Sequence, residues 1–161
     1  MKIAVISDTH IPQACEKLPD SLLKELAKTD LIIHAGDLAG LSVLENLKKI
    51  APVEAVIGNM DSHNMRKELP EKKILEIEGF RIGIIHGEGP PDRIQDYVKM
   101  KFAGEKLDCI IHGHSHTPYI EKIDNTIYFN PGSPTDKVFA PYNSYGILEI
   151  TDKITPKIVR L

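Results

Sequence analysis

The sequence predicts an α/β fold: a two-sheet β-sandwich flanked by helices. Three observations lead there. Apolar strand-like runs alternate with helical spacing through the N-terminal half, short β-branched segments separated by turn residues fill the C-terminal half, and polar residues cluster where the strands end.

The first run, "KIAVIS", and the second, "DLIIHAGD", are short and rich in β-branched residues. Between them "LPDSLLKELAKT" puts Leu22, Leu23 and Leu26 on one helical face. "LSVLENLKKI" repeats that spacing through Leu41, Leu44 and Leu47, and Pro52 ends it before the strand "VEAVIGN". This half therefore reads βαβαβ. "KILEIEG" and "RIGIIHG" then form a hairpin around Gly79 and Phe80, and "PPDRIQDYVKMKFAGEK" opens a helix with prolines in its first turn. The remainder, "DCIIHG", "YIEKI", "TIYFN", "SYGILEI" and "PKIVRL", is all strand, with turns such as "DN" between.

No linker or repeat divides the chain, and 161 residues suffice to bury a core, so residues 1–161 are expected to form one domain. Hydrophobic residues at 42% and charged residues at 27% are ordinary for a folded globular chain. A net charge of -3 gives no broad basic field, which argues against nucleic acid as a partner. The apolar run in "MKIAVISDTH" is too short for a signal-peptide core or a membrane span, so cytoplasmic residence without membrane association is the expectation. Cys15 and Cys109 lie far apart and form no CxxC pair, so neither a zinc knuckle nor a disulfide framework is indicated. Composition leaves a homo-oligomer open.

In an open α/β sheet the ligand crevice lies beyond the carboxyl ends of the strands. Those ends here read "SDTH", "HAGD", "GNMD", "HG" and "GHSH". Singly, each has a structural alternative: Asp8 can cap a turn, Asp37 the following helix, and Asn59 can take a left-handed turn. Jointly, Asp8, His10, Asp37, Asn59, His86, His114 and His116 converge on one rim. Imidazole with carboxylate suits manganese, iron, nickel or zinc better than magnesium or calcium. Three carboxylate or amide ligands and four histidines exceed what one tetrahedral ion uses, which points to two ions, with Asp37 in the middle as the bridge.

These five motifs, in this order from Ser7 to His116, resemble the calcineurin-like metallophosphoesterases. The short length and the tail "NPGSP" are most similar to the small bacterial and archaeal phosphodiesterase branch, which shares its fold with the eukaryotic retromer subunit. The resemblance implies that Asp8, His10 and His116 hold one ion and Asn59, His86 and His114 the other, with Asp37 shared. Manganese is the first choice of metal. His34 and His112 stay outside the set. Catalysis would then centre on Asp37, Asn59 and His86, with Asn59 and Ser133 of the "NPGS" turn reaching a small phosphoester substrate.

Two ions about 3.5–4 Å apart can hold a hydroxide at neutral pH and stabilise both the attacking and the leaving oxygen of a phosphoryl group. No serine nucleophile is then needed, so Ser7 and Ser115 are structural. Larger members of the family carry histidine after the Gly-Asn pair as the general acid, whereas Met60 stands here and has no proton to give. Asp61 and His63 are the candidates to replace it. The competing readings are a non-catalytic protein-binding scaffold of the same fold, and a phosphomonoesterase or nucleotide pyrophosphohydrolase.

Overall fold

A computed structural model describes all 161 residues. Ten strands run in chain order: β1 (Lys2–Ile6), β2 (Leu31–His34), β3 (Val53–Ala55), β4 (Lys72–Ile77), β5 (Phe80–Ile85), β6 (Cys109–Ile111), β7 (Tyr119–Ile123), β8 (Thr126–Asn130), β9 (Ser144–Ile150) and β10 (Ile154–Arg160). The helices are α1 (Asp20–Leu26), α2 (Leu41–Lys48) and α3 (Ile94–Lys101). They form two five-stranded sheets, ordered β10-β9-β1-β2-β3 and β4-β5-β6-β8-β7.

Alternation along the strands decides the layering, because successive side chains point to opposite faces. In β1, Ile3 and Val5 pack between the sheets with Ile33, Ile84, Ile111 and Phe129. Ala4 and Ile6 face the other way and meet Leu22 and Leu26 of α1 and Val43, Leu44 and Leu47 of α2. On the far face of the second sheet, Ile110 and Tyr128 pack against Ile94 and Val98 of α3. The layers are helix, sheet, sheet, helix, as the sequence predicts.

Local differences from the sequence reading have simple causes. Leu23 and Leu41 are only partly buried, whereas Leu18, just ahead of α1, and Val43 of α2 are in the core. The hairpin turns on Glu78 and Gly79, both at positive φ, and Phe80 already belongs to β5, paired with Ile77. β3 stops at Ala55, since Ile57 donates its N–H to Pro70 O and leaves the β2 ladder. Pro91 and its neighbours make a 3₁₀ turn before α3 begins.

The topology fixes the site. β1, β2 and β3 are parallel and in register at Ile6, His34 and Ala55. β5, β6 and β8 are parallel in the second sheet. The His86 ring bonds Ala35 O at 2.8 Å, and His114 N–H bonds Asp8 Oδ2 at 3.0 Å, so the carboxyl ends of both parallel sets meet on one rim.

Candidate metal centre

The loops leaving β1, β2, β3, β5 and β6 bring the seven predicted residues to this rim. Asp8, His10, Asp37, His114 and His116 have φ of 55°, 44°, 57°, 72° and 56°. Left-handed backbone is uncommon for residues other than glycine and costs energy, so these conformations persist only where surrounding contacts enforce them. The motif glycines admit the close approach: a Cβ on Gly58 would collide with the Asp37 carboxylate, and one on Gly113 with Ser7 Oγ.

Two groups of side chains converge with ligand atoms within 4.8 Å of one another: Asp8, His10 and His116, and Asp8, Asp37 and His86. Asp8 Oδ1 lies 3.3 Å from His116 Nε2 and 3.8 Å from the Nε2 atoms of both His10 and His86. Asp37 Oδ2 lies 3.3 Å from His86 Nε2 and 3.7 Å from His10 Nε2, between the two groups. Asn59 Oδ1 is 3.1 Å from both His86 Nε2 and His114 Nδ1, which joins those three residues. The central position expected for Asp37 is therefore shared with Asp8.

The outward nitrogens fix which ring atom faces the centre. His86 Nδ1 donates to Ala35 O at 2.8 Å, His114 Nε2 donates to Gly89 O at 2.9 Å, and His116 Nδ1 donates to Asp136 Oδ2 at 2.5 Å. Each ring thereby turns its other nitrogen, a lone pair in the neutral tautomer, inward.

Asp8 Oδ1 is buried and receives no hydrogen bond, although Oδ2 accepts from His114 N–H. An unpartnered buried carboxylate oxygen is costly, and a cation resolves that cost. The donor set fits a divalent ion that favours imidazole and carboxylate. Electrostatics agrees. Burial alone would raise the Asp8 carboxyl, but the opposing His86 and His116 hold it well below the usual carboxylate range. Burial likewise raises Asp37, but the hydrogen bond and charge of His86 together with the Met60 N–H outweigh it and lower it. Burial would lower His86, whereas Asp8 and Asp37 push it up to about 9. His116 is likewise pushed up to about 9 by Asp8 and Asp136, against the effect of burial.

His34 and His112 are buried but belong to neither converging group. Burial lowers His34 to about 3, and its Nδ1 accepts Gly36 N–H at 3.2 Å while Nε2 meets Thr9 Oγ1 at 3.1 Å. Burial lowers His112 to about 4, and its Nε2 sits 3.2 Å from the Gln95 amide nitrogen.

The expectation that Ser133 reaches substrate is corrected: it is fully buried, and its hydroxyl donates to Asp8 O at 2.7 Å. It braces the β1 loop from behind. Asp61 is buried as well, and accepts the N–H groups of Asp37, Ala39 and Gly58, so it latches the β2 and β3 loops together. Two residues escaped the sequence reading. Asp136 receives the N–H groups of Val138, Phe139 and Ala140 as well as the His116 ring. Phe139 stands beside His116, with ring centroids 6.0 Å apart. The only sequence signal for either was proximity to "NPGS". Above the cluster opens a cavity of about 510 Å³, with His10, Asn59, Met60, His114, His116 and Phe139 in its wall.

The family model for the calcineurin-like phosphoesterase superfamily domain matches residues 1–153. The chain belongs to that superfamily. A probable metallophosphoesterase of Methanocaldococcus jannaschii is 41% identical over 161 residues, which is 99% of this chain and 81% of the relative. A phosphodiesterase of the same organism is 28% identical over 149 residues, 82% of this chain and 83% of the relative. Among solved structures, Vps29 of Entamoeba histolytica complexed with zinc superposes with a TM-score of 0.77 at 25% identity, covering 99% of each chain. Within this metallophosphoesterase superfamily, the present chain has side chains able to hold a metal ion at the strand ends. No helix is long and apolar enough to cross a membrane.

Proposed function

We propose that residues 1–161 form one metallophosphoesterase domain that hydrolyses phosphodiesters with two divalent ions, manganese foremost. Asp8, His10 and His116 would hold one ion, Asn59, His86 and His114 the other, and Asp37 would serve both. The buried Asp8 Oδ1, without a donor and within 3.8 Å of three imidazole nitrogens, carries this reading. When bound, the ions would activate water and stabilise charge on the phosphoryl oxygens.

The protein's own part is positioning. The Ala35, Gly89 and Asp136 oxygens hold the rings, Asp61 ties the Asp37 loop to the Gly58 loop, and Ser133 steadies Asp8. Leaving-group protonation lacks a side chain. Met60 has no proton, Asp61 is fully engaged, and the exposed His63 is absent from the cavity wall.

Metal analysis of the purified protein, then turnover of bis(4-nitrophenyl) phosphate with and without chelator, tests the reading. Bound metal with chelator-sensitive turnover is expected; no metal and no turnover would overturn it. The likeness to Vps29 supports a second reading, a binding scaffold, for which metal binding without turnover of any mono-, di- or pyrophosphate ester would be the signature.

A further inference from the structure

We propose that Phe139, with Met60 on the same cavity wall, selects phosphoesters whose leaving group carries a planar aromatic ring. The proposal rests on the phosphoesterase reading above and names its substrate class. Phe139 is 76% exposed, Val138 77% and Met60 59%. Single exposed apolar residues are ordinary, but these belong to two separate segments, and Phe139 and Met60 both border the cavity over the metal cluster.

The Phe139 backbone is not free to drift. Asp136 accepts the N–H of Phe139 at 3.0 Å and those of both neighbours at 2.8 Å, and the same carboxylate holds the His116 ring. The phenyl ring lies edge-on to His116 at 77°, and a backbone already fixed lowers the cost of ordering that ring against a ligand. The cavity wall contains no lysine or arginine. A second phosphate or a polyanion would find no cation there apart from the metals, whereas a flat ring finds Phe139 on one part of the wall and the Met60 thioether on another. At about 510 Å³ the cavity suits a ligand of that size. A ring bonded directly to the departing oxygen also lowers that oxygen's need for a proton, which fits a site where Met60 stands in place of an acid.

The test is calorimetric titration of the manganese-loaded protein with phenylphosphonate and with methylphosphonate. The native protein should prefer the phenyl compound by about tenfold, the scale of an aromatic contact plus its buried area. In Phe139→Ala that ratio should fall towards one, and in Phe139→Tyr it should persist, with manganese stoichiometry as the control for folding. A native ratio near one, or a ratio unchanged in Phe139→Ala, would overturn the proposal. Turnover of methyl and phenyl phosphodiesters by the native protein separates the two readings. Turnover without phenyl preference defeats the aromatic selection alone, and phenyl preference in binding without any turnover defeats the phosphoesterase reading alone.

Discussion

Replacing Asp136 by asparagine removes one charge and leaves the shape almost unchanged, which makes it an informative perturbation of the centre. The carboxylate takes four donors: the His116 ring at 2.5 Å and the Phe139 and Ala140 N–H groups at 3.0 and 2.8 Å on Oδ2, and Val138 N–H at 2.8 Å on Oδ1. An amide can keep its oxygen at the Oδ2 position, but its NH₂ then faces Val138 N–H, donor against donor. One hydrogen bond is lost, and the contact to His116 loses its charge assistance, which is worth roughly half its strength. Removing such a partner behind a metal-ligating histidine costs about 10–100-fold in metal affinity. That corresponds to about 1.4–2.7 kcal/mol. Isothermal titration with manganese should show one binding event weakened by that factor and the other nearly unchanged, because only one ion is proposed to use His116. Equal weakening of both events, or no change in a variant whose melting shows it is folded, would refute the assignment.

Asp37→Asn should lower kcat by about 10³-fold, the scale of a lost metal-centred stabilisation of several kcal/mol, and Asn59→Ala by clearly less, since Asn59 is proposed to serve one ion; equal mild losses with unchanged metal content would contradict this. With chelator present, thermal stability should peak near pH 6.5. His34 and His112, depressed to about 3 and about 4, contribute stability that is lost as pH falls below the unfolded value of about 6.5, whereas His86 and His116, raised to about 9, contribute stability that is lost as pH rises through 9. Melting temperatures across pH 4–10 at constant ionic strength check it, and a monotonic profile would count against it. Manganese binding at pH 7.5 should release protons, because His86 and His116 must lose theirs to bind; titrations in buffers of different ionisation enthalpy read the number. Rates for phosphodiesters graded by leaving-group pKa should fall steeply in both native protein and His63→Ala; a flat native profile that steepens only in the variant would identify His63 as the acid.

The candidate ligands were legible because each lies at or just past the end of an apolar run, so that the strands deliver their loops to one rim. Their partners were not. Asp136 lies 20 residues from His116, and Asp61 lies 22 and 24 residues from the two β2-loop amides it holds, and no periodicity links such positions. Ser133 was misjudged for a related reason: a serine in a turn looks exposed until the fold places β1 behind it. On the helices Leu22, Leu26, Leu44 and Leu47 follow the apolar spacing, while Leu23 and Leu41 sit at its edge and Val43, with Leu18 ahead of α1, completes the buried face. The left-handed backbone of five of the seven candidate residues left no mark in their side-chain types.

The bond from Ser133 Oγ to Asp8 O spans 125 residues, and β9 must slot beside β1 before the first sheet is complete. During synthesis the ribosome therefore releases the earlier motifs long before the pieces that lock the β1 loop. The proposed ion capture is then a late event in the life of the chain, gated by its final quarter, and until that point the half-built rim offers its histidines and aspartates on an unsupported loop. Arresting translation before and after β9 and reading manganese retention on the nascent chain would time that moment; retention already before β9 would show that the rim does not need its clamp.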